Sequence, residues 1–420
     1  MAVDLKRSSP QSPIGTEEVA ATRQPLLEAA MLPARVFHDP VVFQYEVDAW
    51  FRHEWLFVCR EEDIPETGSY VCQDILGESV IIVRAADELR AYLNICRHRG
   101  AKIVQDASGK VSGFSCPYHA WTYDLRGRLR QPKHTDTLEN FSCEANGLYN
   151  LHVRSWAGLV FINFDSDPIS FDEHLGDFMG HFERHNLHEL RRATRMEYEV
   201  KSNWKALVEN YSECYHCPGV HPLLNHITPA HMEGGNSLTG KGQWSCGSMV
   251  MTGDYETLST DGYLHGRPVL PTMCEDDLKH VYYAWIWPNL LFSLHPDFLM
   301  THQVWPHDAE SATVICELFF HPNAMERPDF DPSGPAEFWD ITNREDWHVC
   351  ELQQAGTASR YHVPGRYASN EGMVHEFDVM VADKLANDGV KTPTRRRPRA
   401  DIPARVMSRQ EAALATGEDS

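Results

Sequence analysis

The chain has 420 residues, 42% hydrophobic and 10% aromatic, which suffices for one large or two medium domains and excludes a disordered or collagen-like polymer. Lys and Arg number 38 against 60 Asp and Glu, and the net charge of −22 excludes the basic face that nucleic-acid binding needs. No stretch approaches the roughly 18 apolar residues of a membrane span, and the N-terminal segment mixes Asp, Lys, Arg, Ser and Pro without the apolar run of a secretory leader.

The expected compartment is therefore the cytoplasm, where the 11 cysteines are expected as free thiols or metal ligands rather than disulfides. In chain order, residues 1–35 read as a loose arm with one short helical stretch over Gln24–Met31. Pro40–Trp55 carries an apolar face at helical spacing. From about Gly68 to Asp165 short β-branched and aromatic runs (SYVCQDI, SVIIVR, LRAYLN, KVSGFSC, LYNLHVRSW, GLVFINF) alternate with Gly, Asp and Pro, the pattern of a small antiparallel β domain. Phe171–Leu190 then reads as helix, Arg195–Ser202 as strand and Asn203–His216 as helix. Three strands are expected in Lys279–His321, and a long helix over Pro335–Gly356. Residues beyond about Val390 read as tail, and their basic run Lys391–Arg399 as a solvated tail or an inter-subunit strap.

Two groups of residues carry chemistry. In NICRHRGAKIVQDASGKVSGFSCPYHAW, Cys96-x-His98 and Cys116-x-x-His119 are separated by 17 residues. A Rieske [2Fe–2S] cluster needs two thiolates on one iron and two imidazoles on the other, so each pair offers one ligand to each iron. Gly100, Gly113 and Pro117 supply the turns. Zinc also accepts two Cys and two His, but Cys-x-His is not a zinc-finger spacing and no long helix follows. Two buried cysteines with two incidental histidines are the plain alternative.

In NWKALVENYSECYHCPGVHP, His216 and His221 stand five apart across a Cys-Pro-Gly break. Two histidines and one carboxylate on a face bind Fe(II) and leave positions open for O2. The helix around Phe338–Gln354 offers Asp340, Glu345 and Asp346, of which Asp346 is preferred and Asp340 is the fallback. Glu213, three residues before His216, is expected on the same helical face, accepting the second N–H of a ligand histidine rather than touching the metal. Taken alone, this pair of histidines fits equally a helix with core Trp204, Leu207 and Tyr211.

Together the two motifs resemble the α subunits of the Rieske non-haem iron oxygenases, the ring-hydroxylating dioxygenase family, over roughly Pro40 to Gly356. The Asn203-Trp204-Lys205…Glu209-Asn210…Tyr215-His216…His221 segment is nearly as specific as the cluster motif. The resemblance implies an α+β fold, with a small antiparallel β Rieske domain and a helix-grip catalytic domain whose antiparallel sheet is flanked by helices. The expected division is an arm at 1–45, a Rieske domain at 46–166, a catalytic domain at 167–390 and a tail at 391–420. It also implies a head-to-tail homotrimer in which His119 of one subunit meets Glu213 of the next, electrons coming from NADH through a separate flavin- or ferredoxin-type reductase. Glu213 and Asn210 would stand on the catalytic side.

Ring-hydroxylating members usually carry Asp at the bridging position. Here it is Glu213, in Glu213-Cys-Tyr-His216, and with TNREDWHVCELQQAG this looks like the branch acting on choline, carnitine, glycine betaine and proline betaine. A quaternary ammonium group offers no N–H and is held by aromatic faces. Tyr283, Trp285 and Trp287 are the low-ranked candidates, Trp285 and Trp287 sharing a face by strand alternation, although strands favour aromatics anyway. The implied reaction is oxidative N-demethylation, glycine betaine giving dimethylglycine and formaldehyde. Rival readings are oxidation of choline or carnitine at carbon, an aromatic dioxygenase, and a pure Rieske electron carrier joined to a binding module.

Overall fold

The computed structural model describes residues 10–232, 235, 237–238 and 240–389. The tail beyond Val390, with its basic run, lies outside the described residues. Two short helices, α1 (Arg35–His38) and α2 (Pro40–Glu46), lead into the first sheet. Asp39 caps α2 by accepting from Val41 N, and Pro40 opens it. The helical stretch expected over Gln24–Met31 is instead a set of turns. Pro25 stands within it, and the segment is tied down by Arg23, which pairs with Asp383 at 2.8 Å and with Asp388 at 2.9 Å.

The strands of the first half are β1 (Leu56–Arg60), β2 (Ser69–Ile75), β3 (Glu78–Ala85), β4 (Glu88–Leu93), β5 (Ser108–Lys110), β6 (Phe114–Ser115), β7 (Thr122–Tyr123), β8 (Leu129–Gln131), β9 (Asn150–Trp156) and β10 (Leu159–Asn163). They form an antiparallel sheet in the order β1-β10-β9-β4-β3-β2-β5 and a small sheet β6-β7-β8. Between them lies a compact core of Tyr70, Ile81, Val83, Tyr92, Phe114, Trp121 and Tyr123. The alternating runs of the sequence appear as these strands.

The continuous helix expected over Phe171–Leu190 is broken into α3 (Phe171–Leu175), α4 (Phe178–Phe182) and two single turns. Gly176 causes the break. It sits at φ +50°, and a Cβ there would lie 2.0 Å from the Lys241 carbonyl oxygen.

The second half holds β11 (Arg191–Val200), α5 (Trp204–Tyr211), α6 (Cys217–Val220), α7 (Pro222–Ile227), β12 (Ser237–Leu238), β13 (Trp244–Val250), β14 (His280–Ile286), β15 (Leu290–Leu294), β16 (Phe298–Asp308), β17 (Ser311–Phe320), α8 (Pro322–Met325), α9 (Ser333–Thr357) and α10 (Gly372–Ala386). The sheet order is β11-β17-β16-β15-β14-β13-β12. The three strands expected in Lys279–His321 are four, because the run VYYAWIWPNLLFSL turns at Pro288–Asn289; proline cannot donate to a ladder. The sequence reading assigned no element to β13 or α10.

Strand alternation divides this sheet. Ala284, Ile286, Leu290, Phe292 and Leu299 face Phe57, Phe161, Phe171 and Phe178, which joins the two halves of the molecule. Trp285, Leu291, Met300, Val314 and Cys316 face the opposite way, into a core with Phe338, Trp347 and Cys350 of α9 and Phe377 of α10. The functional residues of the second half lie on that side.

Candidate metal centres

Two loops of like build carry the first centre. In one, Cys96 N donates to Ala101 O and Gly100 N to Cys96 O; in the other, Cys116 N donates to Trp121 O and Ala120 N to Cys116 O. Both loops turn through a left-handed residue at the same place, Gly100 at φ +72° and Ala120 at φ +56°. The two cysteines are buried and share a side-chain hydrogen bond, while His98 and His119 lie further out with ring centroids 4.6 Å apart. Two thiols on the inside and two imidazoles on the outside are the donor set of a Rieske cluster.

Sequence reasoning missed the residues that hold these ligands. Trp121 stacks on His98 at 4.9 Å with ring planes 9° apart, and the Tyr123 hydroxyl lies 3.4 Å from Cys96 Sγ. Burial pushes the Cys116 thiol up, and the backbone N–H groups of Tyr118 and His119 oppose it by pointing at the sulfur. The usable signal was position: both aromatic residues follow the second Cys-x-x-His directly.

The second centre begins with the anchoring of α5. Asn203 caps it, its Oδ1 accepting from Lys205 N at 3.0 Å while its Nδ2 donates to Ala309 O at 2.6 Å and Phe37 O at 3.1 Å. Trp204 Nε1 and Lys205 Nζ both reach Glu46 of α2, at 2.8 and 2.6 Å, in a fully buried cluster. Breaking such a pair leaves an uncompensated buried charge, at about 3–5 kcal/mol.

The helix expected to run to His216 ends at Tyr211, so Glu213 and His216 do not share a helical face. Glu213 folds back on the turn instead. Its Oε2 accepts from the backbone N–H groups of Tyr215 and His216, and its Oε1 lies 2.5 Å from His216 Nδ1. The Asn210 carbonyl oxygen accepts from Glu213 N at 3.5 Å, which places Asn210 behind the turn.

His216 Nε2, His221 Nε2 and Asp346 Oδ1 converge, with separations of 3.0, 2.8 and 3.2 Å. Metal–ligand bonds of roughly 2.1 Å at right angles place neighbouring donors about 3.0 Å apart, so these atoms mark one face of an octahedron. The donor set and the spacing fit a mononuclear iron. Asp340 is elsewhere, bound to Tyr198 Oη at 2.8 Å and Arg344 Nε at 2.9 Å. Glu345 takes the outer role on the second histidine, its Oε2 lying 2.8 Å from His221 Nδ1.

Cys217 Sγ also lies near the two histidine nitrogens. It is bonded to Cys214, whose Cα is 4.9 Å away, so it does not serve as a ligand here. This pair departs from the expectation of free thiols; the turn that carries His216 brings the two residues within disulfide reach.

Burial opposes charge on these histidines, but hydrogen bonds to Asp346 and Glu213 overcome it and raise His216 to about 10. His221 is raised as well, against its burial, by Asp346 and Glu345. Burial likewise opposes the Asp346 charge, yet His216 and His221 hold its carboxyl below the ordinary range. Pooled negative charge around two imidazoles suits a divalent cation.

Of the three aromatic candidates, the structure brings Tyr283 to this site. It packs 5.9 Å from Tyr211 and 6.4 Å from Trp339, and the Asp346 charge reaches its hydroxyl. His302 lies 5.9 Å from Tyr211 and 6.1 Å from Trp347. Trp285 packs on Phe377 at 5.6 Å; Trp287 lies beyond the end of β14, 5.5 Å from both Trp50 and Trp204, with Lys384 over its ring.

The chain is similar to known proteins. Residues 54–142 match the Rieske [2Fe-2S] domain, and residues 187–387 match the ring hydroxylating alpha subunit (catalytic domain). The chain is 30% identical over 388 residues to the glycine betaine monooxygenase oxygenase subunit of Chromohalobacter salexigens, covering 83% of each. The chain belongs to the Rieske non-haem iron oxygenases, as an oxygenase α subunit. It is also similar to the carnitine monooxygenase oxygenase subunit of Acinetobacter pittii, 28% identical over 352 residues, 81% of this chain and 88% of the relative. Among solved structures, the quaternary ammonium Rieske monooxygenase CntA in complex with substrate L-carnitine superposes with a TM-score of 0.72 at 25% identity, over 89% of this chain and 99% of that one. The cofactors of this oxygenase subunit are accordingly a Rieske [2Fe–2S] cluster and a mononuclear iron. Among the described residues, no helix is long and apolar enough to cross a membrane.

Proposed function

We propose that this subunit oxidatively N-demethylates a small quaternary ammonium compound, glycine betaine or proline betaine, with electrons from an NADH-dependent reductase. The observation that carries the reading is Glu213: a glutamate, not the aspartate usual in ring-hydroxylating members, closes on His216 Nδ1 at 2.5 Å. The relatives named for glycine betaine and carnitine support it.

When bound, the two metal centres supply single electrons and the place where O2 is activated. The chain's own residues do the rest. His216, His221 and Asp346 would hold the iron, and Glu213 and Glu345 would fix the orientation of the two imidazoles through their Nδ1 atoms. Tyr283 and Tyr211, in edge-to-face contact at 5.9 Å, are the rings that would meet a trimethylammonium group. Hydroxylation of an N-methyl group gives a carbinolamine, which collapses to formaldehyde, the demethylated amine and a proton.

Electron delivery is inferred to run between subunits of a head-to-tail homotrimer, from His119 of one copy to Glu213 of the next. The ring of Tyr118, packed 3.8 Å from His119, is 58% exposed, and that of Tyr215, beside Glu213, is 62% exposed. Both are apolar surfaces suited to such a contact.

The test is formaldehyde release from a panel of betaines with NADH and a ferredoxin-type reductase. Formaldehyde from glycine betaine or proline betaine is the expected result. Silence across the panel, with cluster and iron both loaded, would sink N-demethylation and favour oxidation of carnitine or choline at carbon.

A further inference from the structure

Where α5 packs against α10, two carboxyl groups meet. Glu209 of α5 and Asp378 of α10 share a side-chain hydrogen bond. Their outer oxygens are satisfied: Asp378 Oδ2 accepts from Tyr367 Oη at 2.6 Å, and Glu209 Oε2 from Gln353 Nε2 at 3.4 Å. Their inner oxygens, Glu209 Oε1 and Asp378 Oδ1, are sealed from solvent and find no donor among the described residues. Two carboxylate oxygens are both acceptors, so a hydrogen bond between them requires a proton. Two ionised carboxylates held together in the interior would repel strongly.

The surroundings extend towards the metal. Lys205 lies within electrostatic reach of both acids, but its ammonium group is engaged with Glu46 at 2.6 Å. Glu371, buried just before α10, feels Glu213 on one side and acts on Asp378 on the other. Cys350 of α9 lies within reach of Asp346, Glu209 and Glu213 together. Glu371 thus lies within electrostatic range of both Asp378 and Glu213.

We propose that Glu209 and Asp378 form a proton-sharing acid pair that holds one proton in reserve and releases it by way of Glu371 towards the Glu213 side of the oxygenase site. Monooxygenation needs such a supply. A C–H bond, O2, two electrons and two protons become C–OH and water; one oxygen atom enters the product, and the other leaves with both protons. After release the pair is doubly ionised only until a proton returns from solvent at Glu209 Oε2, whose contact with Gln353 lies at the surface. Glu209 and Asp378 are positioning residues in this account and touch neither iron nor substrate. The inference needs only oxygenase chemistry, not the substrate proposed above.

The charge on the pair sets the expected pH dependence. Burial pushes both acids above the ordinary carboxylate range, Asp378 to about 7. The store is full at lower pH and empties as pH rises.

The experiment combines infrared spectroscopy of the iron- and cluster-loaded protein with oxygen-coupling measurements on Glu209→Gln and Asp378→Asn. In either variant an amide keeps a hydrogen bond across the pair but carries no transferable proton. The wild type is expected to show the C=O band of a buried carboxylic acid near neutral pH, and each variant to lose it. Product formed per NADH is expected to fall at least about tenfold in Glu209→Gln, with hydrogen peroxide making up the difference and with the pH dependence flattened. Absence of the band from the wild type would overturn the proposal without any variant. Wild-type coupling and pH profile in either folded variant would overturn it too, because a purely structural hydrogen bond survives the amide. If the wild type couples with another substrate than a betaine, the proposed substrate falls while the same comparison still decides the acid pair.

Discussion

The two metal centres are built by opposite means. The candidate cluster site is local: two short loops, each closed by its own backbone hydrogen bonds, carry all four proposed ligands. The candidate iron site is assembled at long range, its proposed third ligand Asp346 standing 130 positions beyond His216, on α9. A local site depends on turn chemistry, while a distant one depends on everything that holds α5 and α9 in register. That register rests on buried contacts such as Asn203 N to Gln354 Oε1 at 3.0 Å and the Lys205–Glu46 pair.

The largest expected effects break one centre and spare the other. Asp346→Ala removes a donor from the octahedral face and should abolish iron binding, lowering turnover by well over the roughly hundredfold of an outer-shell loss. The visible absorption and paramagnetic resonance of the cluster should be unchanged. Asp340→Ala is the contrast, because Asp340 serves Tyr198 and Arg344; metal analysis should show full iron. Loss of iron in Asp340→Ala with retention in Asp346→Ala would invert the assignment. Cys116→Ser should do the reverse of Asp346→Ala, with the cluster signal lost and the mononuclear iron retained.

This division also explains what was legible in the sequence. The cluster ligands were readable because their spacing and their turns lie within one short window. The two iron histidines were readable for the same reason. For the third ligand the sequence preferred Asp346 and kept Asp340 as the fallback, since three acids of one helix were available and the choice depends on how α9 faces α5. Asp346 faces both histidines, Glu345 is one residue back and finds His221 Nδ1, and Asp340 points to Tyr198. The helical face expected to join Glu213 to His216 does not exist; the carboxylate reaches the imidazole through a turn that it caps itself. Trp285 and Trp287 do share a face, as alternation expects, but both pack on Phe377 of α10, at 5.6 and 5.9 Å. The Glu209–Asp378 pair could not be read at all, because it joins α5 to a helix that the sequence reading left unassigned.

A smaller effect sharpens the comparison by leaving both centres intact and cutting the proposed link between them. Glu213→Gln should keep cluster and iron while slowing single-turnover electron transfer to the iron by about 10–100-fold. Stopped-flow bleaching of the reduced cluster reads that step directly. An unchanged rate would remove Glu213 from the coupling. Glu345→Gln comes next: His221 Nδ1 loses its charged partner, and iron affinity should weaken about tenfold, measured by metal titration, with the cluster again unaffected.

The smallest effect concerns the seam between the two halves. His174 of α3 is fully buried there, its ring nitrogens without a hydrogen-bond partner among the described residues, Glu54 at 3.9 Å and Lys384 nearby. Burial lowers its pKa to about 4, Glu54 opposing and Lys384 assisting. In the unfolded chain the same imidazole titrates near 6.5. The sign follows: the unfolded state binds the proton more readily, so the contribution of His174 is full above pH 6.5 and is lost as pH falls from there towards about 4. At pH 4 the loss amounts to about 3 kcal/mol for this one group. Asp378 and Glu209, with raised pKa values, act in the opposite sense over part of the same range, so the effect is read as a difference between proteins. His174→Gln should be less stable than the wild type at pH 8, because of its altered packing, and should close that gap on acidification. Melting curves of both proteins across this range give the comparison. Parallel curves would mean that protons reach His174 in the folded state at no cost, and that the seam is open to water rather than packed.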